Sequence, residues 1–583
     1  MNAAGRPPVD LRLAPAALGV WLACWWACGS GATAVATSAA GALVVGVGTV
    51  LALPHAVAAA RAPGREPGSG PARPRGRARP GSRGAAAGPV APAVALAVGA
   101  VVVALSACAV QLVVRDRSGL GRLAADGRVV TLDARVRDDP TPLRSTWGEG
   151  VVLAPLDVTA VDDGSGAWRA AAPVLVRGDP GWSALAVGTR VTVTGRLGPA
   201  DPGERDVALL VPVRAPVVRA SPRGPVAVAD ALRSDLMAVT DDLSPQARAL
   251  VPGVAVGDVT RLPDDLGAAM RTVGLTHVTA VSGGHFAIVV ATLSGLCAAL
   301  GLGRWTRLMV LVPATAGFVL LVRPDPSVVR SAAMCAVALT GAALGRPSRA
   351  VPALAASVVV LLVADPWLAR AFGFVLSVAA TAGIVLLAGP LARRLSAWLP
   401  RSLALVVAVP VAAQAACGPV LVLLSPAVSL WSVPANLVAD PALAPATVLG
   451  VLATLVAPVW PSGAHVLAWC AGCATWWIAR VATTAAGLPG ASVAWVGGPV
   501  GAALLAVATT AAGVALWNWR ALAGAAGLAV PWAPGARPSL AGWPWVGRGT
   551  LRACLQRPDR PAAPPAPVLP ARASPPPSSR WLL

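Results

Sequence analysis

The sequence alternates between long apolar runs and two stretches that break them. Apolar residues cover Leu13–Cys28, Ala32–Ala60 and Val90–Val114. Each is read as a span, since a bilayer core of ~30 Å takes about 20 residues. Arg61–Gly84 is rich in Pro, Gly and Arg and is expected to be a disordered cytoplasmic loop. A cleavable signal peptide is not expected, because a second span and then a basic loop follow the first run directly. Across 115–224 the period shortens to two. Val129–Val136, Gly150–Val161, Pro173–Arg177 and Arg190–Leu197 read as strands. Asp139-Pro140, Asp162-Asp163-Gly164 and Gly178-Asp179-Pro180 supply turns between them. Short strands at this spacing predict a small β-barrel or sandwich.

Residues 226–272 carry Arg233, Asp235, Asp241, Asp242 and Arg248 among Leu, Val and Ala. They are too charged to span and are expected as amphipathic helices at the outer membrane interface. From Gly274 the apolar runs return, near 275–300, 305–322, 327–345, 350–364, 371–391, 402–424, 428–459, 463–486 and 497–518. The total is about twelve spans, if 428–459 makes one net crossing. The expected fold is a polytopic α-helical membrane protein with a small extracytoplasmic β-barrel. Its parts are two spans in 1–60, a loop in 61–88, a third span in 89–114, the β domain in 115–224, a membrane domain in 225–518 and a disordered tail in 519–583.

Composition narrows the class. Of 583 residues, 56% are hydrophobic and 13% charged, and the mean hydropathy is +0.68. Soluble chains carry roughly 25% charged residues, so a soluble enzyme is excluded as the whole answer, as is disorder for most of the chain. The net charge of +21 is unevenly placed, with seven Arg and one acid in 61–84 and eight Arg and one acid in 520–583. Arg-rich segments beside spans resist translocation and mark the cytoplasmic side. The expected location is therefore the cytoplasmic membrane, with both termini inside and 115–224 outside. The loops holding Arg304/Arg307, Arg346/Arg349 and Arg393/Arg394/Arg401 then fall inside as well. A basic chain can also signal a nucleic-acid partner, but topology accounts for most of this excess. Most of the nine Cys lie in apolar runs; Cys470-x-x-Cys473 sits within one, without the second pair or the thioredoxin-like setting that a zinc or redox site needs.

Candidate chemistry concentrates where a span is interrupted. Two of the four His occur in Gly274-Leu275-Thr276-His277-Val278-Thr279-Ala280-Val281-Ser282-Gly283-Gly284-His285. Ser282, Gly283 and Gly284 break the apolar run, and a broken helix at membrane depth is tolerated only where it lines a cavity or is buried in protein. The two His could bind an anion, relay a proton, gate a polar path or simply cap helix ends. Ser282 also mimics a serine nucleophile elbow, but without the strand–turn–helix setting that elbow requires. As zinc ligands the two His lack companions. Arg330 lies near the outer mouth of a run, where it could meet phosphate or snorkel. Asp365-Pro366 reads as a capped helix start. Gln414 and Asn436 could line a polar path or join helices. Asn436, between Pro434 and Asp440-Pro441, is expected in a broken helix.

Residues 250–296 resemble the core of the ComEC competence-protein family. Its signature runs from a Gly-Asp element (Gly257-Asp258) through an amphipathic segment to Gly274–His285. Arg323-x-x-x-Ser327-x-x-Arg330-Ser331-Ala332-x-Met334 resembles a second element, with Ser331 in the usual Ala place. Ala364-Asp365-Pro366 with Phe372-Gly373-Phe374-x-Leu376-Ser377-x-Ala379-Ala380 resembles a third, and Gln414 with Pro434-Ala435-Asn436-Leu437 a fourth. The likeness covers 13–518 and is strongest over 250–440. It implies an OB-like β domain, to which the string Val187–Leu197 is similar, and a channel moving single-stranded DNA across the cytoplasmic membrane in natural transformation. Many family members also carry a metallo-β-lactamase-like domain with a His-x-His-x-Asp-His cluster. That cluster is absent from this sequence, so no nuclease, metal site or cofactor is expected here.

The expected function is thus a channel and not an enzyme. His277, Ser282, Gly283, Gly284, His285, Arg323, Arg330, Gln414 and Asn436 would line the DNA path. Trp147, Trp168 and Trp182 would be the aromatics available for stacking single strands on the barrel, although 15 Arg against 13 acids in 115–224 argue against strong electrostatic binding. With no Lys there is no phosphate-binding Gly-x-x-x-x-Gly-Lys loop. A DNA-receptor protein, a separate ATPase and a separate nuclease are the partners this implies, with self-association a further expectation. The alternatives are a transporter of another polymer or solute on the same fold, or a membrane-embedded hydrolase centred on His277, Ser282 and His285.

Overall fold

The computed structural model describes residues 10–44, 90–143, 150–279, 281–344 and 350–525. The Arg-rich loop 61–84, Trp147 and most of the basic tail lie outside them. Period-two patterning builds the barrel. In β1 (Val129–Val136), Val130, Leu132, Ala134 and Val136 are buried and the residues between them are not. With β2 (Thr141–Pro142), β3 (Val152–Asp162), β4 (Ala167–Gly178), β5 (Arg190–Pro199), β6 (Ala208–Pro212) and β7 (Val217–Ala220), it forms one sheet. Five strands close on themselves in the order β1-β3-β4-β6-β5-β1. All these pairs are antiparallel except β4–β6, which is parallel. Closure removes the free edges that an open sheet would expose. Leu132, Leu156, Val174, Val193, Leu197, Leu210 and Trp182 fill the interior, and the short helix at Leu120–Ala125 adds Leu120 and Ala124. The four expected strands all form; β2, β6 and β7 were not anticipated.

The apolar runs become helices. Among the described residues, seven are long and apolar enough to cross a membrane: Ala93–Arg117, Arg304–Val322, Phe372–Leu395, Arg401–Leu424, Ser432–Val456, Pro461–Ala486 and Gly498–Asn518. Five shorter apolar helices accompany them: Ala14–Cys28, Ala32–Val44, Gly283–Ala299, Pro326–Gly341 and Ala350–Ala364. Seven of the roughly twelve expected crossings therefore meet the length of a span.

Two expectations need correction. The segment read as interfacial contains helices at Pro225–Val239, Pro245–Val256 and Asp264–Thr272. The middle one does not lie on a surface: every residue from Ala249 to Val256 is buried. Its Ala, Gly and Val side chains let neighbours approach closely. A Cβ added at Gly450 would stand 2.8 Å from Ala255 Cβ, and one at Gly472 would stand 3.0 Å from Ala247 Cβ. Small residues at such contacts are how helices pack without a hydrophobic driving force from water. The helix holding Asn436 is also unbroken, running from Ser432 to Val456 through Pro441 and Pro445. Within a bundle, neighbouring groups re-satisfy the backbone that proline frees.

Candidate functional site at a broken helix

The interruption before Gly283 is built by a reciprocal cap. Ser282 is extended (φ −107°, ψ 174°), and the helix α9 (Gly283–Ala299) starts at the next residue. The Ser282 backbone N–H donates to His285 Nδ1 at 3.0 Å, while the Ser282 side chain accepts from the His285 backbone. Each residue thereby satisfies a helix-terminal donor. Because Nδ1 accepts, the neutral ring carries its proton on Nε2. His285 is fully buried. On the other side of the break, His277 Nδ1 lies 3.2 Å from the Gly274 carbonyl in an exposed turn. Gly274 has φ +73°, which favours glycine.

Three further elements close on this break, and they are the ones the sequence motifs mark. The first is α11 (Pro326–Ala343). Its Ser327 donates to the Val281 carbonyl at 3.2 Å, and Ser331 donates to the Ser327 carbonyl at 2.9 Å. A Cβ on Gly283 would meet Arg330 Nη2 at 2.6 Å and Ser331 Oγ at 2.8 Å, so a larger residue there would have to displace these two side chains. Arg330 is buried; it donates from Nε to Ser377 at 2.8 Å, from Nη2 to Ser331 at 3.1 Å and from Nη1 to the Met334 sulfur at 3.1 Å. The second element is the helix at Phe372–Gly383, which brings Ser377. The third is the pair of spans at Arg401–Leu424 and Ser432–Val456. Ser432 donates to Gln414 Oε1 at 3.0 Å, Asn436 donates to the Ser432 carbonyl at 2.7 Å, and a Cβ on Gly274 would lie 2.8 Å from Ser432 Oγ.

Sequence reasoning missed Asp440 as a site residue. It lies on the span of Asn436, within electrostatic reach of His277. The signal was present: Asp440 is the only charged residue in Ser432–Val456, and an ionisable group at membrane depth marks function by default.

Other expected site residues stand elsewhere. Arg323 does not join the break. Held at φ +73°, it pairs with Asp230 and, at 3.2 Å, with Asp139 of the β domain. Arg233 reaches the same Asp139 at 3.2 Å and Asp258 of the Gly-Asp element at 3.3 Å. These ion pairs tie barrel to membrane domain. A second tie runs from Arg205 to Asp365 at 2.9 Å, while Asp365 caps its turn by accepting from the Trp367 N–H at 3.2 Å, as expected. The stacking aromatics need correction. Trp182 is 0% exposed, a core residue that no base can reach. Trp168 is half-buried, with its indole N–H held by the Ser118 carbonyl at 3.2 Å. Trp147 lies outside the described residues.

A closed β-barrel joined to a polytopic helical bundle, with polar side chains gathered at one broken helix, defines a multi-pass membrane protein with an internal polar site. Residues 254–520 match the family model for competence proteins. The chain is similar to ComE operon protein 3 of Bacillus subtilis (strain 168), 29% identical over 226 residues, which are 38% of this chain and 28% of that relative. No solved structure matches the chain.

Proposed function

We propose that this chain conducts single-stranded DNA across the cytoplasmic membrane during natural transformation. One observation carries the reading: within a competence-type membrane domain, polar groups from four separate sequence elements converge on a helix broken at membrane depth. An apolar bundle gains nothing from Ser282, His285, Arg330, Gln414 and Asn436 as packing. Buried polar groups cost free energy unless paired, and non-helical backbone in a membrane belongs beside a polar path. The path runs past His277, Ser282, Gly283, Gly284, His285, Arg330, Gln414 and Asn436, with Asp440 at its edge. Arg323 serves the joint to the barrel instead. The barrel lies outside the cell and both termini inside. Strand delivery, energy and cutting come from separate proteins: a DNA receptor, an ATPase and a nuclease.

A hydrolase needs a free lone pair on His285 to activate Ser282, 3.0 Å away. That lone pair accepts the Ser282 backbone N–H, so the geometry favours a cap over a nucleophile. Transformation frequency, normalised to protein level, separates the two. The channel reading expects His285→Ala to abolish uptake and Ser282→Ala to reduce it less. Equal damage from both favours the hydrolase, and wild-type frequency from both removes the site. For orientation, a Cys in place of Ser165 is expected to react with an impermeant thiol reagent in intact cells; reaction only after permeabilisation overturns it.

A further inference from the structure

A buried guanidinium ordinarily sits against a carboxylate, because desolvating its charge is costly otherwise. Arg323 and Arg233 follow that rule, each with two Asp partners. Arg330 breaks it. It is 4% exposed, yet among the described residues no carboxylate pairs with it, and its three partners are two hydroxyls and a thioether. Its surroundings deepen the deficit. Arg330 sits in the second turn of α11 and touches the first residue of α9, so the positive ends of two helix dipoles lie beside a positive side chain. Among the described residues, three of the five guanidinium N–H groups have a partner.

We propose that Arg330 is a phosphodiester-binding site, closed in this structure by neutral hydrogen bonds that an anionic oxygen displaces. Charge-assisted bonds from Arg to phosphate are roughly twice as strong as neutral ones, so a phosphate outcompetes Ser331, Ser377 and Met334. The guanidinium lies beside Gly283, the first residue of the helix after the break, so moving it couples anion binding to the broken helix. An Arg–phosphate contact reads charge and not sequence. The inference rests on the DNA-channel reading and names the contact that reading lacks.

The test uses the full chain in nanodiscs with a labelled oligothymidylate and its uncharged methylphosphonate counterpart. Wild type is expected to bind the first and not the second. Arg330→Gln is expected to weaken binding about tenfold and to lower the salt slope by about 0.7, the value of one single-strand phosphate contact. Ser377→Ala removes a competitor and is expected to tighten binding severalfold, opposite to what misfolding would do. Unchanged affinity in both variants, with wild type binding, overturns the site and leaves the channel reading standing. Failure of wild type to bind removes both. Native mass spectrometry of retained phosphatidylglycerol covers the other source of phosphodiester. Lipid lost from Arg330→Gln with oligonucleotide affinity unchanged assigns the site to a headgroup and overturns the strand contact.

Discussion

The barrel and the membrane domain solve the same packing problem with different weights on large and small residues. The barrel fills its interior mainly with Leu and Val, beside six Ala and one Trp, held by alternation along each strand. The membrane domain packs on Ala and Gly, with Ala255, Ala435, Ala439, Ala453, Ala468 and Ala482 all buried and large apolar side chains such as Val507, Met309 and Val312 turned outward. In water, burying apolar area drives collapse, so large side chains belong inside. In lipid that drive is absent between helices, and close backbone approach replaces it. Sensitivity to substitution should therefore invert between the two regions: removing bulk harms the barrel, and adding bulk harms the membrane domain.

The largest expected effect is Trp182→Ala. Emptying a fully buried indole site should cost about 3–5 kcal/mol, read as lost protease resistance of the barrel loops. Next comes Gly450→Leu, which drives a side chain into Ala255. Overpacking of this kind costs about 1–3 kcal/mol, seen as a lowered melting temperature of the detergent-purified chain. Gly295→Leu is the control, since an added Cβ there meets nothing within 4 Å; equal losses at both positions would break the comparison. Trp168→Phe should cost about 1 kcal/mol, the net worth of its bond to Ser118.

The smallest effect lies at the joint between the two regions. Asp138 and Asp325 are both held above the ordinary carboxylate value of 3.8, by desolvation first; repulsion from Asp139 adds to both, and Asp138 adds further repulsion at Asp325. A carboxyl whose folded pKa is raised stabilises the fold at low pH, and that contribution fades as pH rises through the raised value. Melting temperature should therefore gain slightly on acidification toward the carboxylate range. Asp138→Asn with Asp325→Asn should flatten that slope. Both groups lie at exposed positions, so the shift is small.

Much of the fold was legible because each region obeys one period. β1 ends where its alternation ends, and the run at 350–364 coincides with its helix. What stayed hidden depends on partners distant in sequence. Residues 245–256 carry charged neighbours that suggest an interface, while their Ala-Gly-Val face is buried by spans 200 residues later. Arg323 and Arg330 look alike in sequence; among the described residues only the fold gives one two carboxylates and the other none. Trp182 reads as a surface aromatic in a Gly-Asp-Pro-Gly turn, yet that turn folds it into the barrel. At the site, the motif residues of the break, of α11 and of the Gln414–Asn436 pair do converge, but that His285 caps its own helix is a matter of backbone geometry that spacing alone leaves open.

The central claim is that the broken helix borders the route of the strand. Photo-crosslinking during uptake tests it most directly. A photoreactive residue is placed at 277, at 436 and, as a lipid-facing control, at 312, and cells are supplied with labelled DNA. Crosslinks to the strand at 277 and 436, and none at 312, are the expected result. Strand crosslinks absent from 277 and 436 in cells that still take up DNA would contradict the account.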